Sequence, residues 1–199
     1  MKRVIRSNRS PNPKVAIVVS NNRRLTNEQH DELLSRIHHI IPYDMFIYDL
    51  GDKPEWKDPK KIKYRNSIQI YKHWDALQLL PERYRYIVKV RNDLDVVEAF
   101  GVKLAIQKGF EENWTIGMGQ INFHKHQRNW KMGKEVFIGD LIIAHPRDAM
   151  KDPNMMEKEQ EFYHSRVGHR KWAMCFDDKA HHWNAQIKIV RPEGFIPPK

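Results

Sequence analysis

The chain has 199 residues and is 40% hydrophobic, with 35 Lys and Arg against 25 Asp and Glu and a net charge of +10. That composition suits a soluble globular domain large enough to bury a core, and no apolar run approaches the roughly 20 residues that span a bilayer. The single cysteine, Cys175, excludes an internal disulfide and a multi-cysteine zinc site, and the expected address is a reducing cytoplasm.

Residues 1–14, MKRVIRSNRSPNPK, read as a basic arm: Lys2, Arg3, Arg6, Arg9 and Lys14 occur with no acid. No hydrophobic segment follows the basic start, so no secretory signal is read. KVAIVVS (14–20) is a continuous apolar run that suits a buried parallel strand. Thr26 and Gln29 are spaced as a capping box, and Leu33, Leu34, Ile37, Ile40 and Ile41 form one helical stripe that Pro42 ends. DMFIYDL (44–50) predicts a second strand closing on Asp49, and GDKPEWKDPKK a loop. RNSIQIYKHWDALQLL (65–80) predicts a helix with Ile70, Trp74 and Leu77 on one face.

YIVKVRNDLDVVEAF (86–100) then predicts a third strand. Its even positions Tyr86, Val88, Val90, Asn92 and Leu94 share one face, and Ile87, Lys89, Arg91, Asp93 and Asp95 share the other. The β-α-β-α-β order argues for a mostly parallel, doubly wound α/β sheet flanked by helices, in one domain over 15–199. The nucleotide-binding half would be 15–97 and the acceptor half 98–199. Further on, 96–110 predicts a helix, WTIGMGQINF and EVFIGDLIIAH predict strands, 154–174 contains a helix, and AQIKIV (185–190) is a closing strand.

Two features carry chemistry. Asp93 and Asp95 form a D-x-D at the end of the third strand, where open α/β sheets hold ligands. Mg²⁺ or Mn²⁺ favours carboxylate oxygen, and Mg²⁺ completes its shell with water and phosphate, so a diphosphate finishes a site two aspartates begin. Arg91 adds a cation suited to phosphate. The alternative is that an aspartate caps the next helix. The second feature is the acid-free stretch 120–134, where Lys125 and Arg128 alternate with aromatics including Trp130. Such a pattern follows a phosphate backbone and stacks on bases, or else forms a solvated face with its aromatics turned inward.

YIVKVRNDLDV resembles the R-x-D-x-D stretch of small GT-A-type glycosyltransferases, including the WavE-like lipopolysaccharide-synthesis family. YRNSIQIYKHWDAL is similar to the helix that precedes that strand, and VFIGDLIIAHPRDAM to a later N-D-Q-F-A-I-G-S segment. Gly139 stands where that family favours Asn before Asp140, Leu141-Ile142 replace Gln-Phe, and His145-Pro146 replace Gly-Ser. The resemblance spans residues 15–150 and is best over 64–97.

It implies a Rossmann-like GT-A fold and a metal-dependent transfer of sugar from a nucleotide-sugar to a hydroxyl acceptor. Ser20, Asn21, Asp49, Arg65, Asn66, Gln69 and Asp93 would meet the donor. Asp93, Asp95 and a late histidine, His182, would hold Mn²⁺ or Mg²⁺. Arg91 would act on the diphosphate, and Asp140 would be the general base of an inverting reaction. A turn aspartate and loop histidines are the plain alternatives for Asp140 and for His181 and His182. The basic arm with Lys125, Arg128 and Trp130 suggests an anionic acceptor, either hydroxymethylated DNA, as in phage-type DNA modification, or an acidic glycan. Rival readings are a metal-dependent nuclease using Asp93, Asp95, Glu98 and Lys103, and a non-enzymatic nucleic-acid-binding module.

Overall fold

The computed structural model describes residues 2–20, 25–50, 68–119, 138–156, 168–176 and 180–192. The apolar run at 15–20 is the central strand β2 (Val15–Ser20), wholly buried from Val15 through Val19. Its chain passes through α1 (Asn27–Ile40) to β3 (Asp44–Tyr48), then through α2 (Ile68–Leu79) to β4 (Tyr86–Arg91). Both β3 and β4 lie parallel to β2, one on each side, with Ser20 level with Tyr48 and with Arg91. The strand order therefore reverses at β2, and the crevice between the carboxyl ends of β2 and β4 is where such sheets bind ligands.

The remaining elements are β5 (Leu94–Val96), α3 (Ala99–Glu112), β6 (Thr115–Met118), β7 (Ile142–Pro146), β8 (Ala180–Trp183) and β9 (Ile187–Ile189). A single helical turn, Pro153–Met156, and a helix, Gly168–Met174, lie between β7 and β8. With the first strand β1 (Lys2–Ile5), the main sheet has seven strands in the order β1-β3-β2-β4-β7-β6-β8, and β5 pairs with β9 in a two-stranded ladder. β2, β3, β4, β6 and β8 run one way, and β1 and β7 the other. Strands from both halves of the chain share this one sheet.

Each face of the sheet buries its own core. Val15, Ile17, Val19, Tyr86, Val88 and Val90 pack under α1 and α3 through Leu34, Ile37, Val102 and Ile106. Ala16, Val18, Ile87 and Ile143 pack under α2 and the helix Gly168–Met174 through Ile70, Leu77 and Trp172. A sheet covered on both faces explains why β2 and β4 are apolar throughout rather than alternating with polar residues.

Local chemistry sets the ends of the helices. Thr26 and Gln29 form the capping box expected of them, with Gln29 N–H donating to Thr26 Oγ1 at 3.3 Å and Thr26 N–H to Gln29 Oε1 at 3.0 Å. Arg147 ends α2 from across the fold, donating to the carbonyls of Leu77, Leu80 and Pro81 at 2.7–2.9 Å. A cation there meets both the orphan carbonyls and the negative end of the helix.

Three sequence expectations need correction. Lys2–Ile5 is an edge strand on β3 and not part of a free arm. The third strand does not run through to Asp95: alternation holds to Arg91, and then a turn at Asn92-Asp93 breaks it before β5. AHHW, read as loop, is the outer strand β8, while the closing strand lies outside the main sheet, opposite β5. The expected strand and helix segments within 120–137 and 157–167 lie outside the described residues.

Candidate active site at the carboxyl edge of the sheet

The site grows from β4. Lys89 and Arg91 project from the same face as Ile87, and both are buried, Lys89 completely. Lys89 Nζ donates to the Asp140 carbonyl at 2.5 Å and stands 4.9 Å from the centre of the Trp172 ring. Burial pushes its amine down to about 7.

One step closer to the edge, Arg91 turns onto Asp93. Nε donates to Oδ1 at 2.9 Å and Nη2 to Oδ2 at 2.7 Å, a bidentate fork with Asp93 fully buried. The turn at Asn92-Asp93 makes this possible by folding residue 93 back beside residue 91. Asp95 is half-buried on β5 and stands across the ladder from Lys188 of β9. Neither aspartate caps α3, whose N-cap is Glu98.

Asp140 reaches the same edge by a different route. The segment Ile138–Gly139 crosses the end of β6 so closely that a Cβ on Gly117 would fall 2.5 Å from the Gly139 carbonyl oxygen. Gly139 N–H donates to His182 Nδ1 at 3.1 Å. With Nδ1 accepting, a neutral His182 carries its proton on Nε2, the wrong form for metal ligation. His182 thus accepts a hydrogen bond from the loop that leads into Asp140. His181 lies against Trp114, with ring centres 4.3 Å apart and the planes tilted by 35°.

Of the expected donor residues, Ser20 ends β2 at this edge, Asp49 follows β3 and is exposed, and Gln69 lies half-buried in the first turn of α2. Asn21, Arg65, Asn66, Lys125, Arg128 and Trp130 lie outside the described residues. Sequence reasoning passed over Lys188, brought opposite Asp95 only by the β5–β9 pairing, and His30. His30 falls three and four residues before Leu33 and Leu34, on the very stripe that marks the buried face of α1.

Behind the edge lies a second buried polar group. His73 of α2 and His145 of β7 meet Nε2 to Nε2 at 2.9 Å, and His145 Nδ1 lies 2.7 Å from the Pro146 carbonyl. A carbonyl only accepts, so His145 Nδ1 bears hydrogen, its Nε2 accepts, and His73 Nε2 donates. Burial holds both rings neutral, with His145 lowered to about 4 and His73 well below its ordinary value.

The donor set decides which cation fits. Among the described residues no three His, Cys, Asp or Glu side chains converge as a self-sufficient metal site. The two carboxylates Asp93 and Asp95 are opposed by Arg91 and Lys188, so the protein alone attracts a divalent ion weakly. Asp93 is fully buried in the Arg91 fork, which leaves Asp95 the more accessible carboxylate of the two. The residues therefore fit a cation that arrives already paired with a diphosphate, in the manner of Mg²⁺ sites with one or two carboxylates.

A strand order reversing at β2, helices on both faces and charged groups at the carboxyl edge define a Rossmann-like α/β fold of GT-A architecture, as expected. No family model matches the sequence, and no curated protein matches it significantly. Among solved structures the chain is similar to a glycosyltransferase involved in the glycosylation of the major capsid of PBCV-1, with 12% identity and a TM-score of 0.51 over 86% of this chain and 83% of that one. It also matches 4-diphosphocytidyl-2C-methyl-D-erythritol synthase from Anaerococcus prevotii, with 10% identity and a TM-score of 0.41 over 86% and 88%. Identities this low speak to fold alone. Among the described residues no helix is long and apolar enough to cross a membrane.

Proposed function

We propose that the chain is a metal-dependent glycosyltransferase that moves a sugar from a nucleotide-diphosphate donor to a hydroxyl acceptor. The observation that carries this reading is the Arg91–Asp93–Asp95 turn, set at the crevice where the strand order reverses, in a fold shared with a glycosyltransferase. The fork orients Arg91 before any ligand arrives, which is how a site lowers the cost of ordering its groups. Asp95, with Asp93 beside it, would hold Mn²⁺ or Mg²⁺ with the diphosphate. The cation would neutralise charge on the leaving nucleoside diphosphate. Arg91 adds a fixed positive charge on the same side. Asp140, its backbone anchored by Lys89, would accept the acceptor hydroxyl's proton if the reaction inverts configuration.

The acceptor is anionic on this reading, consistent with the net charge of +10 and with Lys125, Arg128 and Trp130 in their acid-free stretch. Hydroxymethylated DNA is one such acceptor, and its modified base must be reached in a groove or flipped out. An acidic glycan is the other. The nuclease reading is disfavoured by Lys103, which lines a cavity with Val15 and Tyr43 at the opposite end of the sheet.

Thermal shift with a panel of nucleotide-sugars, each with and without Mn²⁺, tests the proposal. Stabilisation that needs both nucleotide and metal, and that disappears in Asp95→Ala, is the expected result. A flat response across the panel would overturn it. Plasmid cleavage without a donor would instead support a nuclease.

A further inference from the structure

Buried polar atoms in folded proteins are nearly always hydrogen-bonded, so an exception calls for a reason. His30 is such an exception. It sits in the first turns of α1 and is only 8% exposed. Its Nε2 is buried with no hydrogen-bond partner. α1 packs on β5, and the Asp93 carboxylate lies near enough to act on the His30 ring. Burial outweighs the pull of Asp93 and Asp31 and keeps the ring neutral at pH 7.

The end of α1 is not itself the anion site. Its first turn is already served from within by the reciprocal Thr26–Gln29 capping box, with the acidic Glu28 in the same turn. The unsatisfied atom is the His30 nitrogen, one turn further in, on a helix that packs against β5. Asp93 would repel an anion there, but the Arg91 fork neutralises it.

We propose that His30 is a donor-contacting residue, whose Nε2–H donates to a non-bridging phosphate oxygen of the nucleoside diphosphate bound beside Arg91 and Asp93. This rests on the transferase reading and adds to it a contact from α1. An orphan nitrogen costs stability in the free protein and is recovered only when ligand arrives, a trade expected at a functional position.

The test uses Mn²⁺–pyrophosphate, the part common to all such donors, with calorimetric titration and thermal unfolding. His30→Leu keeps a similar volume and removes the orphan nitrogen. It is expected to melt higher than wild type yet bind the probe about tenfold more weakly, the loss of one hydrogen bond to a charged group. His30→Gln, which restores an N–H, should recover binding to within about threefold of wild type. Binding by His30→Leu equal to wild type overturns the proposal. Should that variant fail to fold, the His30 imidazole nitrogen resonance decides: it shifts when Mg²⁺–pyrophosphate is added to wild type, or stays put and refutes the contact. If wild type binds and Asp95→Ala does not, while His30→Leu is unaffected, only this contact falls. If wild type itself fails to bind, both readings fall.

Discussion

The two ends of the central sheet both carry ion networks, and they are built to opposite plans. At the amino end Asp44 receives Ser7 N–H at 2.9 Å, Arg6 Nη1 at 2.6 Å and Tyr84 Oη–H at 2.6 Å, with Arg83 3.7 Å away. The partners of this β3 residue come from β1's extension and from the approach to β4, and both arginines are more than half exposed. This network ties distant parts of the chain together in water. At the carboxyl end Arg91 binds Asp93 only two residues away, at side-chain exposures of 9% and 0%. That fork joins no separate elements. A dry ion pair between such near neighbours is costly to keep, and on the transferase reading proposed above it serves to present charge to the donor.

Five substitutions, two of them combined in one variant, break or sharpen the contrast. The largest effect is expected from Arg91→Met, which strands Asp93 as a lone buried carboxylate and should cost about 3–5 kcal/mol in urea unfolding. Adding Asp93→Leu should recover much of that loss, since it removes the stranded carboxylate. Failure to recover would mean that the fork holds the fold together after all.

Lys89→Met comes next. In the wild type the folded amine titrates near 7 and the unfolded one near its ordinary 10.5. Between those values the unfolded chain binds the extra proton, so wild-type stability should rise with pH, by about 1.4 kcal/mol per unit. Below pH 7 the slope vanishes. The variant should lose the slope, as read by unfolding at pH 7, 8 and 9, and equal slopes would place the amine in water.

Asp44→Asn should cost about 1–2 kcal/mol at pH 7 by loosening the Arg6 and Tyr84 bonds. Burial tends to raise the Asp44 carboxyl, but Tyr84, Ser7 and Arg6 together hold it below its ordinary value. Its contribution is therefore present above the unfolded value and disappears as pH falls through the folded one. The variant should show less loss of stability than wild type on acidification. The smallest effect is expected for Arg3→Ala. Its bond to Asp31 joins two side chains each 54% exposed, so stability should change by less than about 0.5 kcal/mol.

What the sequence could reveal follows the same division. β2, α1, β3, α2 and β4 were legible because local runs carry them: VAIVVS, the Leu33–Ile41 stripe with its capping box, and an apolar third strand. β1 was hidden because edge strands carry charge, and Lys2 and Arg3 look like tail residues. β8 was hidden because AHHW has little strand character of its own and is recruited by β6. The turn at Asn92-Asp93 had a signal, two good turn formers in sequence, which the D-x-D pattern overrode. The Lys89 contact with Asp140 and the pairing of His73 with His145 join residues far apart in the chain, and no spacing rule reaches them. Asp93 and Asp95 were found as candidates, but the sequence did not disclose that Arg91 claims the first of them.

The glycines beside Asp140 deserve a last word on engineering. Gly117 and Gly139 let two backbones touch, so the position of a candidate base is fixed by atoms that are missing from its neighbours. Retuning acceptor choice by mutating around Asp140 should leave those two residues alone, because even a methyl group there would push the whole segment outward and displace the carboxylate it carries.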